Sequence, residues 1–225
     1  MKRAPTKSSK MPSWTRSRRG RRGRVWHSAL GDSLTFSLLW RFQRGAAGLS
    51  GLSLAVGVAL VRALHALGVP EARIKWPNDV LIGGNKLAGI LIELQGDMES
   101  ASAAVIGVGI NMRLPQHMKD SIAQPAIGLD EMLPGADPNH VLGMVLDHMF
   151  NAVTEFDRAG FTSLRPEWMA AHAHQGQPVR LLLPNGGEIE GTAAGVDDNG
   201  VLVVATAEGE KRFASGEVSL RGMAA

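Results

Sequence analysis

The chain has 225 residues, of which 44% are hydrophobic and 20% charged, and none is cysteine. That length suits one ordinary domain plus a small one, and the missing cysteines exclude disulfide frameworks and thiolate metal sites and point to a reducing compartment, the cytoplasm. The formal charge of +3 conceals a split: residues 1–24 hold ten Lys or Arg and no acid, which leaves a body of net charge −7 that carries no nucleic-acid footprint of its own.

Residues 1–15 read as a disordered basic arm. The first 24 residues as a whole have three open readings: a nucleic-acid tail, an organellar targeting peptide, or an arm whose second half is a catalytic loop. No secretory apolar segment is present. The apolar stretch from Ala46 to Val61 is dotted with Gly and Ser and reads as too short and too polar to span a bilayer, so no membrane partner is expected.

Residues 25–42 contain a β-rich run, "LTFSLLWRF". Residues 45–68 follow with Leu52, Val56, Leu60, Leu64 and Leu67 at three- and four-residue spacing, which predicts an amphipathic helix ended by Gly68. "RIKWPNDVLI" predicts a strand that must turn at Pro77, because proline cannot donate to a ladder. "KLAGILIEL" and "AAVIGVGINM" flank a polar turn near Gly96 and predict a hairpin. Residues 113–137 read as loop with one short helix. Val141, Val145, Met149, Val153 and Phe156 mark a long helix, and Leu164 and Trp168 a third that runs to about His174. From Gly176 onward, turn signals such as "PNGG" and "DDNG" cut the chain into four or five short strands, a pattern that suggests a small closed barrel. The predicted fold is therefore α+β: a mixed β-sheet with packed helices over residues 16–175, then a small C-terminal β-barrel over 176–225.

Four segments carry chemistry. In Arg18–Arg24, "RRGRRGR", glycines let backbone N–H groups approach an anion and arginines supply forked donors. On composition alone such a run is more often a disordered tail. "KWPND", 75–79, sets a large ring in a polar turn, where it needs something to cover. In "GGNKLAGILIEL", Lys86 opens an otherwise apolar strand, either as a snorkelling lysine or as a cation held where two anions meet, and Gly89 on the strand permits close approach to backbone. In "IGVGIN", Asn111 offers an amide that can read an adenine edge. The seven histidines show no metal spacing, and His172 and His174 read as incidental.

Taken in order, "RRGRRGRVWHS", "KWPND", "KLAGILIE" and "GVGIN" resemble the motifs of the biotin protein ligases, and "SGEVSLR" resembles their small SH3-like C-terminal barrel. The resemblance spans roughly residues 18–225. It implies formation of biotinyl-5'-AMP from biotin and ATP, then transfer of biotin to a lysine of a biotin carboxyl carrier domain, that of acetyl-CoA carboxylase or a related carboxylase. By the same resemblance Lys86 and Arg21 are the catalytic cations. Arg19, Gly20, Arg21, Lys86 and Gly89 would bind biotin, and Arg24, Trp26, Asn78, Asn111 and Arg221 would bind ATP. Asp79 would help hold Mg2+.

The family also places a Ser/Thr-Asn pair and a Gln-Thr-x-Gly segment upstream of the Gly/Arg loop. Here that text is "MKRAPTKSSKMPSWTRSR", without either, and Arg18 replaces the loop's first glycine. The resemblance thus implies a non-repressor ligase without a DNA-binding domain, altered or truncated at its N-terminus and lacking a strand of its biotin pocket. Relatives occur as monomers and dimers, which leaves a homodimer open. Beside this reading stand a catalytically impaired remnant, a lipoate or octanoate ligase and, in a different class, nucleic-acid binding through the basic arm.

Overall fold

The computed structural model describes residues 16–19, 25–28, 31–96, 101–120, 122, 124–214 and 218–222, and for 16–19 and 25–28 it describes strand pairing alone. Strands β1 (Arg16–Arg19) and β2 (Val25–Ser28) form an antiparallel hairpin in which Arg19 faces Val25. Arg18 and Arg19, expected in the loop, are therefore strand residues. Gly20, Arg21 and Arg24 lie outside the described residues, as does the arm of residues 1–15.

The main sheet is built from β3 (Ser33–Phe42), β4 (Arg73–Lys75), β5 (Asp79–Ile82), β6 (Asn85–Gly96) and β7 (Ser102–Asn111), in the order β3-β7-β6-β5-β4. Every ladder in it is antiparallel, where the sequence predicts a mixed sheet. From β4 to β7 each strand pairs with the next in the chain, and short connections permit only antiparallel neighbours. The parallel pairings among the described residues are isolated bridges, Ile74 with His172 and Lys86 with Ala126.

One face of this sheet, with Ile90, Ile106, Val108 and Ile110, is buried and packs against α1 (Leu52–Ala66). α1 is not the amphipathic helix its leucine spacing predicts. Residues 54–61 are buried without interruption, because α3 (Pro138–Ala159) and α4 (Arg165–Ala171) cover the side turned away from the sheet. The apolar run is also longer than expected: Ala46–Ala66 reaches the length and hydropathy of a membrane span, but 67% of its apolar window is buried inside the protein, as in a core helix.

α4 stops at Ala171, short of the predicted His174. The backbone there leaves the helix to pair with β4, and the Ala173 N–H donates to the Ile74 carbonyl at 2.7 Å. Between β7 and α3 lies a loop that holds the short helix α2 (Gln116–Lys119) and, beyond the one helix expected, a 3-10 turn at Leu129–Glu131.

The C-terminal unit is a second antiparallel sheet of β8 (Pro178–Leu182), β9 (Glu188–Val196), β10 (Leu202–Thr206), β11 (Gly209–Phe213) and β12 (Ser219–Gly222), ordered β11-β10-β9-β8-β12. Its end strands β11 and β12 share no ladder among the described residues. Its β9–β10 turn is tied to the main domain. The indole N–H of Trp76 donates to the Gly200 carbonyl at 3.1 Å, the Ser50 hydroxyl to that of Asn199 at 2.6 Å, and Arg165 Nε to that of Val196 at 2.7 Å. A single cluster of buried apolar side chains runs from Phe42 to Leu220 through both units.

Candidate active site

The site begins with an extra residue in β6. Opposite β5, Val80 faces Ala88 but Leu81 faces Lys86, so Leu87 is unmatched. Side chains alternate along a strand, and one inserted residue reverses the alternation beyond it. Leu87 and Ala88 are consequently both buried. Lys86 emerges instead on the face of Asp79, and Asp79 in turn pairs with Gly89.

The Lys86 ammonium meets Asp79 Oδ1 at 2.6 Å, with only 16% and 10% of the two side chains exposed. Removing solvent strengthens such a charge pair relative to an exposed one. The backbone around Lys86 is held by the segment 125–127: the Lys86 N–H donates to the Pro125 carbonyl at 2.9 Å, and the Ile127 N–H donates to the Lys86 carbonyl at 3.0 Å. Asn111, almost fully buried, completes the clamp. Its amide nitrogen donates to the carbonyls of Lys86 at 3.2 Å and Ile127 at 3.3 Å.

The KWPND turn supplies the next wall. Its Trp76–Pro77 peptide is cis. Asn78 is stitched to β6 by two bonds, its side-chain amide to the Ile90 carbonyl at 2.8 Å and its own carbonyl from the Ile90 N–H at 2.9 Å. Trp76 does cover something: it is 1% exposed and points into the joint with the C-terminal sheet.

A cleft of about 400 Å³ opens between the start of β6 and the β8–β12 pair. Lys75, Asp79, Lys86, His174, Gln177 and Arg221 are among the residues lining it. Among the described lining residues three cations, Lys75, Lys86 and Arg221, stand against one carboxylate, Asp79, so the cleft favours an anion. On the sheet beside it, Gly89 faces Gly109 and Leu91 faces Gly107, a stretch of β6–β7 with few side chains.

Of the residues singled out in the sequence, Asp79, Lys86 and Arg221 share this cleft, while Asn78, Gly89 and Asn111 frame it through the backbone. Arg19 and Trp26 are placed only as strand positions on β1 and β2. Three polar wall residues, Gln124 among them, escaped sequence reasoning. Gln177 carries no motif. His174 was set aside for want of metal spacing, and its one available signal is its place just before the first C-terminal strand. Burial, and then the nearby Lys75 charge, hold the His174 imidazole below its usual pKa. His172 is pushed down to about 4, first by burial and then by His174, with a smaller opposing pull from Gln175.

No cluster of three metal-ligating side chains occurs among the described residues. Asp79 is the one carboxylate among the described residues that line the cleft. A Mg2+ that arrives on phosphates keeps most of its shell as water and phosphate oxygens and needs only one or two protein carboxylates, so the donor set fits an ion of that kind and not a resident metal.

Residues 10–111 match the model of the biotin/lipoate A/B protein ligase family, and residues 174–221 match that of the biotin protein ligase C-terminal domain. The chain is 36% identical over 203 residues to the bifunctional ligase/repressor BirA of Escherichia coli, a match that covers 90% of this chain and 63% of that protein. It is 32% identical over 209 residues to the biotin–[acetyl-CoA-carboxylase] ligase of Paracoccus denitrificans, covering 91% of this chain and 86% of that one. Among solved structures, biotin protein ligase from Aquifex aeolicus in complex with biotin and ATP superposes with a TM-score of 0.76 at 31% identity, covering 91% of this chain and 84% of that chain. The chain thus spans a little under two thirds of the repressor-type relative and most of the Paracoccus denitrificans and Aquifex aeolicus ligases.

Proposed function

This chain belongs to the biotin protein ligase family, and from that premise we propose that it joins biotin to ATP's α-phosphate and passes the biotinyl group to a lysine of a carboxylase's carrier domain. The observation that carries the reading is the cationic cleft in which Lys86, held by its strand and by Asp79, stands across from Arg221 of the C-terminal sheet.

The chemistry asks for such an arrangement. In the first step an oxygen of the biotin carboxylate attacks the α-phosphorus, the bond to the bridging oxygen breaks, and pyrophosphate leaves. Two anions must approach, and negative charge grows on the phosphoryl oxygens, so fixed cations that need no reorganisation lower the barrier. Lys86 is assigned to the point where carboxylate and α-phosphate meet, and Arg221 to the departing phosphates. Mg2+ brought in by ATP would be held by Asp79 and would supply further charge neutralisation. Asn78 and Asn111 act as positioning residues, since each spends its amide on backbone carbonyls around the site. The floor at Gly89 is assigned to biotin, as are Arg19, Gly20 and Arg21, while Arg24 and Trp26 are assigned to the nucleotide. In the second step the acceptor's neutral amine attacks the biotinyl carbonyl carbon. AMP leaves and the new amide nitrogen sheds one proton. The Paracoccus denitrificans relative's name supports the carrier of acetyl-CoA carboxylase as acceptor, and the reaction belongs in the cytoplasm, where ATP and that carrier meet.

The test is transfer of labelled biotin to a purified carrier domain. Lys86→Ala should lower kcat by about 10²–10³-fold, as expected for one preorganised charge at a developing anion. Equal labelling by this variant and the parent would remove Lys86 from its assigned role.

A further inference from the structure

Arg221 sits on an end strand of the C-terminal sheet, paired among the described residues through β8 alone. Something must fix how far that edge reaches over the cleft. The segment between α4 and β8 is bound at both ends: the Ala173 N–H donates to the Ile74 carbonyl of β4 at 2.7 Å, and the Gly176 N–H donates to the Ala193 carbonyl of β9 at 2.9 Å. Between these ties stands His174. Its ring lies so close to Gly222, the residue after Arg221, that a β-carbon added there would fall 3.0 Å from Cε1 and 3.3 Å from Nδ1.

Nor is the ring free to retreat. It meets His172 edge-on at 6.0 Å, and His172 stacks at 4.5 Å on Trp168, which is fully buried. A column of three rings therefore runs from the core to the strand that carries Arg221. His174 Nε2 is itself buried and has no hydrogen-bond partner among the described residues, so its environment uses the ring's shape and not a polar bond from that nitrogen.

We propose that His174 is the positioning residue that seats Arg221 over the cleft, acting as a wedge between the Trp168–His172 stack and Gly222. The proposal rests on the assignment of Arg221 to the ATP phosphates. It makes the ATP affinity of the site depend on a cleft-wall side chain through the seat it gives Arg221, and it leaves little room for a β-carbon on the residue after Arg221.

Four variants of the full chain, assayed for biotinyl-AMP formation, test it. Arg221→Ala sets the scale and should raise the KM for ATP. His174→Ala removes the wedge and Gly222→Ala overfills the gap. Each displaces Arg221 and should raise the KM for ATP by about tenfold, in keeping with the steep cost of sub-ångström misplacement, while the KM for biotin moves by less than about twofold. His174→Phe keeps a ring of similar shape and should restore the parent KM for ATP. If Arg221→Ala raises that KM and His174→Ala and Gly222→Ala do not, the wedge is wrong. Equal rises for ATP and biotin, or failure of His174→Phe to restore the parent value, would also overturn it. An unchanged KM in Arg221→Ala would instead strike the assignment of Arg221 itself.

Discussion

At the scale of single residues, His172 shows how burial becomes pH dependence. Its imidazole titrates near 4 in the folded protein and near 6.5 in an unfolded chain. Well above pH 6.5 both states are neutral and the residue's titration adds no pH dependence to stability. Between pH 6.5 and 4 the unfolded chain takes up a proton that the folded one refuses, so stability falls with pH, by about 3 kcal/mol at the lower end. His174 is depressed in the same direction and adds to the trend. His172→Phe keeps a ring against Trp168 and removes the proton. Its urea midpoint should change less between pH 7 and pH 4.5 than the parent's, and an identical acid loss in both would show that other groups dominate. None of this was legible in "AHAHQ", because the depression comes first from burial, which only the fold supplies, and only second from the neighbouring His174.

At the scale of elements, the tie between the KWPND turn and the β9–β10 turn offers the sharpest test. Gly200 has φ +76, where side chains are strained, and a β-carbon there would fall 2.7 Å from Leu54 Cδ1 and 3.1 Å from the Gly51 α-carbon. Backbone cannot yield as a side-chain tip can, so Gly200→Ala should cost about 1–3 kcal/mol, read as a lower urea midpoint. An unshifted midpoint would mean that the two units do not press on each other there. The strands, the break at Pro77 and the β6–β7 hairpin were readable because Pro, Gly and β-rich runs act locally. The direction of Trp76 was not, since its partner lies 124 residues away. The helix α1 misled for a related reason: Leu52, Val56, Leu60 and Leu64 draw one apolar stripe, but Ala55, Val58, Ala59 and Val61 fill the rest of the surface. The mixed sheet was an error of the same kind, because a strand buried on both faces reads alike in either direction.

For the whole molecule, the change of composition at Gly176 hides that the sheets on either side of it share one core. The buried cluster crosses the boundary, and Trp76 and Trp168 both lie in it, fully buried. Unfolding followed by tryptophan fluorescence and by far-ultraviolet circular dichroism should therefore give one coincident transition. Two separated transitions would show that the C-terminal sheet comes away by itself. The site was legible in outline because each motif supplies a distinct chemistry. What could not be read was the wall that the C-terminal unit contributes beyond Arg221, which exists only once residues 172–178 have crossed from one sheet to the other. The unmatched Leu87 has a consequence for how such a chain can change. A strand keeps its two faces by counting in twos, and Leu87 shifts the count by one, so Lys86 is in phase with Gly89 instead of Ala88. A lysine written into a regular strand at the same place would land in the core, and losing one residue here would move the charge through the sheet in a single step. The position of that charge is therefore digital: no series of small side-chain replacements leads from one face to the other.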